Sequence, residues 1–497
     1  MKRVPFSVSI GLGTGNMLQA LNSSMIAVAL VPIAIYFGSN SGVAWLISGL
    51  YIATAVSAPT AGKLGTVLGP RRVYLAGLVV IAAGSLLGAF APTVGWLIAA
   101  RVLLGIGTAS QYPTAMTIIR AIAAKTDASV GSAIAVMSLC AQSTVAFGPT
   151  LGGVLVAVLG WQSIFWVNMP LVLMTAIWVL KVVPADPPLE VRGSELLTAL
   201  DPIGLTSFTA LITTMMFVLL SLAEDPLWWL IPVLVVVAAF FIWWERRYPT
   251  PFIEVRALAA NRGLLQTLIR TTATYAAFYC IFFGLPQWLQ AGRGFDASTA
   301  GLVMLPIAVV GIASTMLATR TVARHGIRRA LLIGSVMLVV SGLLLAFVES
   351  AQSNIPVLLL VACVLGIPNG FNNIGNQNAV SAVTTVAEVG PAIGMYRTVQ
   401  YVGANLAAVV IELANKGGAT DTGLHRLGIF IACVGVALVL GAAFSRRLQQ
   451  ADLRTRARAR WAARPHDRSY EPQDYPTGDR MLDQPHEPRP IPRTDRG

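Results

Sequence analysis

Apolar runs of about 20 residues recur along most of this chain, and they constrain its fold more than any other feature. A helix of that length crosses the hydrocarbon core of a bilayer. Only 11% of the 497 residues are charged, whereas soluble domains have about a quarter. Because hydrocarbon contains no water, each segment must satisfy its own backbone, and segments of this length favour helices over a barrel. The sequence predicts an all-α polytopic membrane protein.

Fourteen candidate spans can be marked, and the basic residues between them indicate an orientation. The even-numbered connections carry arginine and lysine, as in 63–72 and 320–329, while opposite loops such as 223–226 and 349–354 carry none. Since basic loops face the cytoplasm, both termini are expected there. The spans are roughly 8–36, 42–62, 73–92, 95–119, 130–159, 162–183, 202–222, 227–244, 265–290, 298–318, 329–348, 356–379, 388–412 and 426–445.

Several function classes are disfavoured by composition. No cluster of histidine, cysteine or acid lies in a predicted span, so neither an enzyme nor a metal or cofactor site is expected. Much of the net charge of +13 lies in cytoplasmic loops and in residues 449–497, which indicates topology rather than nucleic-acid binding. This tail is predicted to be disordered, with its basic start on anionic lipid headgroups.

The chain repeats itself at an offset near 258 residues, and each match pairs a span with the one eight further on. Parallel repeats around a central site are typical of secondary transporters. We therefore expect a six-helix bundle over 1–184, two inserted helices over 185–262 and a second six-helix bundle over 263–448. The matching segments are 69–77 with 326–334, 130–135 with 389–394 and, more weakly, 105–112 with 366–373.

Five short motifs follow one another along the chain: G-K-L-G-T-V-L-G-P-R-R (62–72), R-V-L-L-G-I-G (101–107), G-P-T-L-G-G (148–153), G-W-Q-S-I-F-W-V-N-M-P (160–170) and E-V-G-P-A-I-G-M-Y-R-T (388–398). In this order they resemble the major facilitator superfamily, and the fourteen spans suggest its drug/proton antiporter branch. The resemblance covers about residues 8–448 and implies efflux of drug-like compounds by an antiporter. Thr66 stands where the family's cytoplasmic loop has aspartate, and Thr144 replaces a glycine of the antiporter motif. The matching motif residues, which imply gating roles, are Gly62, Gly69, Arg71, Arg72, Arg101, Gly105, Gly148, Pro149, Gly152 and Gly153.

Two of these motifs have a direct physical interpretation. In G-P-T-L-G-G (148–153), small residues allow close helix approach and Pro149 can kink the helix, so the motif is either a seal or hinge, or ordinary packing. In the family, the loop that ends at Arg71 and Arg72 is a latch between bundles, although basic residues belong at that membrane surface anyway. Without the loop aspartate, a latch would be weaker or differently built.

Carboxylates are absent where proton coupling would need them. The first acidic residue of the chain is Asp127, in a cytoplasmic loop. Asn22 occupies the place of the first-helix aspartate in the resembling family. Because an amide cannot exchange a proton at physiological pH, the family's usual proton site is missing.

Three arginines remain at membrane depth: Arg101, Arg270 and Arg397. Each stays protonated and needs a partner, water or an anion. The positions of Arg101 and Arg397 match the family, which implies structural or gating roles, and Arg270 has the option of extending to the cytoplasmic surface. A net positive cavity would suit neutral or anionic substrates better than lipophilic cations.

Asparagines in N-G-F-N-N-I-G-N-Q-N (369–378) recur at helical spacing and form one face. Two interpretations remain open: hydrogen bonds between helices, or the wall of a water-filled cavity, which four amides on one face favour. Further candidates for the lining are Gln111 and Tyr112 at the repeat-related place, with Gln142 and Gln400. The asparagines are Asn369, Asn372, Asn373 and Asn376.

These features predict a monomeric secondary transporter in a bacterial cell membrane that exports small organic compounds by alternating access. Proton coupling is in question because of Asn22. The alternatives are an uncoupled facilitator or importer of the same fold, and a lipid-handling or scaffold membrane protein without solute flux.

Overall fold

The computed structural model describes residues 2–38, 42–126, 128–129, 131–187, 201–221, 226–249, 251–252, 255–256, 261–384, 389–416 and 418–445. All of them lie in one compact unit, Met1–Asp452. The predicted tail, 449–497, lies outside the described residues. Apart from one pair of two-residue parallel strands, β1 (Lys2–Arg3) and β2 (Ala128–Ser129), the regular structure there is helical.

The N-terminal half contains nine helices that belong to the first six predicted spans. A bend of 47° separates α1 from α2, which together form the first span. Their bounds are α1 (Phe6–Ser24), α2 (Ile26–Phe37), α3 (Val43–Leu68), α4 (Pro70–Ala89), α5 (Val94–Ala109), α6 (Gln111–Thr126), α7 (Gly131–Leu159), α8 (Ser163–Trp166) and α9 (Asn168–Val182).

The inserted pair and the C-terminal half follow. Two π-helical segments, Cys280–Gly284 and Trp288–Gly292, interrupt the ninth predicted span. The α-helices are α10 (Pro202–Ser221), α11 (Leu230–Glu245), α12 (Arg262–Tyr279), α13 (Leu285–Gln287), α14 (Ala297–His325), α15 (Ile327–Phe347), α16 (Ile355–Val383), α17 (Val389–Ala414) and α18 (Asp421–Phe444).

Nine helical segments within the described residues are long and apolar enough to cross a membrane, and the bent pair α1–α2 gives a tenth. The protein is therefore a multi-pass helical membrane protein. The other four predicted spans correspond to α3, α7, α11 and α17, which are helical but do not belong to that set. The number of fourteen spans stays a prediction, as does the cytoplasmic position of the termini.

The sequence repeat has a structural counterpart at two tight turns. Gly69 joins α3 to α4 with φ of 99°, and Gly326 joins α14 to α15 with φ of 96°. A side chain rarely adopts these angles, so glycine is favoured at both turns. The two halves thus share a long helix, a glycine turn and a second helix at matching places.

Each half packs mainly within itself, and two helix pairs form the largest contacts between the halves. In the N-terminal half α1 packs on α7 and α5 packs on α3 and α4; in the C-terminal half α14 packs on α16 and α15 on α18. The pairs α7–α14 and α3–α17 connect the halves. The inserted helices α10 and α11 pack on each other, and α10 also contacts α3 and α17.

We call the end of the protein that carries residues 91–93, 160–162 and 349–354 the outer end, following the predicted orientation.

Candidate functional site

The centre of the interface between the two halves is built from arginine, tyrosine and amide side chains. Arg270 of α12 donates from Nε to Asn376 Oδ1 of α16 at 2.6 Å. Tyr396 of α17 donates to Asn373 Oδ1 at 2.9 Å, and Tyr275 of α12 donates to the same oxygen at 3.2 Å. These hydrogen bonds connect α12, α16 and α17 of the C-terminal half.

Arg397 connects this group of side chains to the N-terminal half. Its guanidinium carbon lies 4.5 Å from the ring centroid of Tyr112, on α6. A guanidinium over a tyrosine face is attracted by the ring quadrupole. Tyr275 and Tyr396 meet at Asn373, and Tyr401 lies four residues after Arg397 on the same helix. The central cluster, as we call it, comprises Arg270, Arg397, Tyr112, Tyr275, Tyr396, Tyr401, Asn373 and Asn376.

An aromatic wall continues from the central cluster toward the outer end. The ring of Tyr51 on α3 stacks on that of Tyr401 with centroids 5.7 Å apart and lies 5.3 Å from that of Tyr279. Tyr279 in turn stacks on Phe283, in the first π-helical segment, at 5.4 Å. Because the rings come from both halves, this wall is part of the interface between them.

The structure shows what surrounds three residues of the asparagine face. Asn373 and Asn376 are hydrogen-bonded to α12 and α17, and Asn372 is buried where Gly334 of α15 approaches it. In this conformation Asn373 and Asn376 form hydrogen bonds between helices and Asn372 packs against α15, while the assignment of this face to a cavity wall stays a prediction. Asn369 is half-buried and lies two turns from Asn376, toward the outer end.

Gln111 and Asn372 occupy corresponding places inside their own halves. Gln111 is fully buried, and its Nε2 donates to the carbonyl of Tyr74 on α4 at 3.3 Å. Gly77 on α4 faces Gln111 as Gly334 on α15 faces Asn372. Gln111 therefore lies apart from the central cluster, although its neighbour Tyr112 belongs to it.

The two remaining glutamine candidates are placed differently by the structure. Gln400 is buried and interacts with the hydroxyl of Tyr396, which brings it to the edge of the central cluster. The side chain of Gln142 lies outside the described residues.

Asn22 forms a closed amide network within the N-terminal half. Its Nδ2 donates to Asn168 Oδ1 at 2.9 Å, and Asn168 Nδ2 returns a hydrogen bond to Asn22 Oδ1 at 3.0 Å. Asn168 also donates to the hydroxyl of Ser85 at 2.9 Å. Both amide groups of the pair are thus used in structure, and neither can titrate.

Arg101 packs beside this network and is 1% exposed. Its Nε donates to the carbonyl of Leu46 and its Nη1 to the carbonyl of Asn22, both at 2.8 Å. The guanidinium therefore binds backbone oxygens of α1 and α3, and its Nη2 has no hydrogen-bond partner among the described residues. Four residues along α5, a Cβ on Gly105 would lie 2.4 Å from the carbonyl oxygen of Leu50, so α3 and α5 approach closely there.

The glycine-proline motif of α7 contacts the other half directly. A Cβ on Gly153 would lie 2.2 Å from the carbonyl oxygen of Ala297, at the start of α14. Thr150 donates to the carbonyl of Gly301 at 2.8 Å, and a Cβ on Gly301 would meet the carbonyl of Pro149 at 2.6 Å. On the opposite side of α7, Gly148 and Gly152 face Ser24 and Met25.

A second contact closes the same end of the interface. Gln290, in the second π-helical segment, donates from Nε2 to the carbonyl of Val28 on α2 at 3.1 Å. We call these contacts of α7, α14, Gln290 and Val28 the outer seal.

The loop motif 62–72 contains no acid, but Asp186 from a distant part of the chain binds its end. Asp186, after α9, accepts hydrogen bonds from the backbone N–H of Arg71 at 3.3 Å and of Arg72 at 2.7 Å. Because these groups begin α4, the carboxylate caps that helix and complements its dipole. Arg71 Nη2 also donates to the carbonyl of Leu180 at 2.8 Å. Gly62 lies near Pro113, and Gly69 supplies the turn.

A buried acid lies at the outer end, in the loop between α15 and α16. Glu349 is 2% exposed, and its Oε2 has no hydrogen-bond partner among the described residues. Burial, partly offset by the guanidinium of Arg293, raises the pKa of this carboxyl to about 7. Its backbone carbonyl lies 2.9 Å from Nε2 of His425, and Asp421 on the same helix accepts from Trp288.

Several residues that take part in these contacts were not predicted from the sequence. Tyr275, Tyr396, Asn168 and Glu349 stand alone in apolar runs or in a loop, and only the folded structure shows their partners. Asp186 follows a predicted span without any motif spacing to Arg71. Only Asn168 had a signal in the sequence, because N-M-P (168–170) belongs to the stretch 160–170 that resembles the family.

Two helical halves that meet along a polar and aromatic centre, with close backbone contacts at one end, have the arrangement typical of secondary transporters. The chain matches the sequence model of the Major Facilitator Superfamily over residues 12–408 and 267–464. The chain belongs to that family.

Similar proteins include transporters and efflux proteins. YwoD, an uncharacterised MFS-type transporter of Bacillus subtilis (strain 168), is 31% identical over 430 residues, which cover 86% of this chain and 94% of that protein. The multidrug efflux pump LfrA of Mycolicibacterium smegmatis is 28% identical over 411 residues, covering 78% of this chain and 76% of that protein. The tetracenomycin C resistance and export protein of Streptomyces glaucescens is 24% identical over 420 residues, covering 82% and 75%.

A crystal structure of the nucleoside transporter NupG has the same fold. It superposes with a TM-score of 0.61, covers 88% of this chain and 100% of that chain, and is 15% identical in sequence. At that identity the likeness concerns the fold alone.

Proposed function

We propose that this transporter exports small organic compounds across a bacterial cell membrane by alternating access. The observation that carries the proposal is the outer seal, which lies beyond a polar and aromatic centre formed by both halves. With that end closed, the central cluster would be loaded from the cytoplasm. Rocking of the halves would then break the outer seal and release the compound outside. Efflux proteins among its relatives support the outward direction.

The glycine motif of α7 would act as a seal in this cycle. Gly153 and Gly301 allow backbone to approach backbone across the interface, where side chains would hold the halves apart. Contacts that consist of backbone atoms and one threonine hydroxyl can break and re-form without rearrangement of large side chains. This fits a surface that separates in every transport cycle.

The Asn22 network favours a second candidate, an uncoupled facilitator of the same fold. In the place where the family's aspartate would titrate, Asn22 and Asn168 hold each other through reciprocal amide hydrogen bonds. A pair of this kind carries no proton from one side to the other. Under this candidate, the concentration gradient of the substrate alone sets the direction of net flux.

Flux in proteoliposomes separates the two candidates. Purified protein would be reconstituted and loaded with labelled organic compounds, and flux would be compared with and without an imposed pH gradient. A coupled exporter concentrates its substrate when the gradient is present, whereas a facilitator equilibrates it equally in both conditions. The variant Asn22→Asp restores a titratable group; if the native protein already shows gradient-driven accumulation, our account of Asn22 is wrong.

We further propose that the transporter works as a monomer surrounded by lipid. The exposed apolar side chains of the described residues include Trp228, Trp229 and Trp243 near the ends of α11, where aromatic rings suit the membrane–water boundary. Arg247 lies over the ring of Trp243 at 4.6 Å and can extend toward headgroups there. If the reconstituted protein binds lipid yet transports none of a broad compound panel, the lipid-handling alternative replaces this proposal.

A further inference from the structure

Neither arginine of the central cluster has a carboxylate partner among the described residues. Arg270 uses Nε for its hydrogen bond to Asn376, and its buried Nη2 has no hydrogen-bond partner among the described residues. Arg397 contacts the ring of Tyr112 and has no hydrogen-bond acceptor in the part of the chain that the structure describes. Asn376, which accepts from Arg270, lies one turn along α16 from Asn373, which accepts from Tyr396, and Arg397 follows Tyr396 directly in the chain. The two arginines therefore belong to the same part of the interface.

Two guanidiniums in such a place have more donors than the protein supplies acceptors. Each guanidinium has five N–H donors in a planar fork that matches a carboxylate. Only one of these donors is hydrogen-bonded to a described residue, through Asn376. An anion bound there would accept hydrogen bonds from these donors, including the buried Nη2 of Arg270.

Aromatic rings line the region next to these charges. Tyr112 comes from the N-terminal half, and Tyr275 and Tyr279 come from α12, with ring centroids 6.0 Å apart. Phe278 and Phe282 stack at 5.5 Å beside them. Faces of this kind pack well against a planar ring, and tyrosine hydroxyls add hydrogen bonds at its edge.

We propose that the central cluster is a binding site for aromatic carboxylates, with Arg270 and Arg397 on the carboxylate and the tyrosine rings on the aromatic body. This inference rests on the proposed transport function, since it names the class of compound that the transporter carries. A lipophilic cation is disfavoured at the same place because it would face two positive charges without a carboxylate. A free phosphate would satisfy the arginines but leave the aromatic faces unused.

Binding to the purified protein in detergent tests the proposal without depending on flux. Three ligands with the same aromatic ring would be compared by isothermal titration calorimetry: the carboxylate, its primary amide and the corresponding amine. Because hydrogen bonds to charged groups are the strong ones, the carboxylate is expected to bind roughly 10- to 150-fold more tightly than the amide. The amine should bind most weakly.

Variants of the two arginines test whether the preference for the carboxylate over the amide arises at the central cluster. Arg270→Gln and Arg397→Gln should each bring the affinity for the carboxylate to within a few-fold of that for the amide. Arg397→Lys keeps the charge without the planar fork, so it should keep only part of the preference. Arg320→Gln, which changes an exposed arginine on α14, is the matched control and should keep all of it. A symmetrical peak in size-exclusion chromatography, checked for every variant, excludes unfolding as the cause.

Inorganic phosphate tests whether the site recognises charge alone. Phosphate should not displace the carboxylate at concentrations well above that of the ligand. Efficient displacement by phosphate, tighter binding of the amine, or a carboxylate preference that survives both glutamine variants would each overturn the inference. If the carboxylate binds as expected but no compound crosses reconstituted membranes, the proposed transport function fails while the assignment of the site stands.

Discussion

Gly153→Ala should weaken the outer seal and shift the protein toward an outward-open conformation. The added Cβ would lie 2.2 Å from the carbonyl oxygen of Ala297, whereas ordinary contact begins at 3.4 Å. The two atoms must therefore separate by about 1.2 Å, and only backbone can yield, because the next nearest atoms belong to the backbone of Ala297 and Ser298. Overpacking of this kind costs about 1–3 kcal/mol.

The cost falls on the closed conformation alone if the contact breaks when the halves rock apart. A difference of about 1–3 kcal/mol between two states changes their ratio by roughly 5- to 150-fold. Outward-open molecules that are rare in the native protein would then become a visible fraction of the variant.

Double electron–electron resonance measures this shift. Spin labels at Pro92 and Gln352, exposed at the outer ends of the two halves, would report the distance between them after the four native cysteines are replaced. We expect Gly153→Ala to add or enlarge a population at longer distance. Gly441→Ala, where a Cβ would meet nothing within 4 Å, is the matched control and should leave the distribution unchanged. Identical distributions in a folded Gly153→Ala protein would refute the assignment of this contact to a seal that opens.

Three further predictions concern residues outside the central cluster. In the folded protein the pKa of Glu349 is about 7, against an ordinary value of 4.5. Because the folded state therefore binds the proton more tightly, the thermal stability of the native protein should fall as pH rises between these values and level off above pH 7. The total change is on the order of 3 kcal/mol, and Glu349→Gln should remove this pH dependence in thermal melts; a variant as pH-dependent as the native protein would contradict the assignment. Asp186→Asn weakens the cap of α4 and should lower stability by about 1 kcal/mol at neutral pH, read as a lower melting temperature, and an unchanged melting temperature would argue against the cap. Asn168→Ala leaves the buried Oδ1 of Asn22 without its hydrogen-bond partner and should cost about 1–3 kcal/mol. Asn378→Ala, at a half-buried asparagine that donates within its own helix, should cost less, and equal losses would count against the network.

Helix positions followed closely from hydropathy, because lipid allows few other structures. Each predicted span has a helical counterpart, and the two glycine turns of the repeat are found at Gly69 and Gly326. The breaks within spans could not be predicted from the sequence. The bend between α1 and α2 and the π-helical segments near Phe283 depend on packing against neighbouring helices, which hydropathy does not encode.

The candidate site was predictable one residue at a time but not as an assembly. Arg270 and Arg397 were identified because charged residues are rare in spans, and Tyr112 because of its repeat-related position. The structure places all three in one cluster. Asn373 and Asn376 were placed on the correct helix, yet their partners Tyr275 and Arg270 lie about 100 residues away, so helical spacing could not distinguish packing from a cavity wall. The repeat was more informative: it paired Gln111 with Asn372, and both are buried opposite a glycine.

Solute counterflow in proteoliposomes tests the central claim most directly, because it requires transport but no energy source. Vesicles would be preloaded with an unlabelled aromatic carboxylate and diluted into a trace of the labelled compound. Alternating access at the central cluster predicts transient accumulation of label in vesicles with the native protein and little accumulation with Arg397→Gln. Absence of accumulation with native protein that binds the same compound would contradict the account.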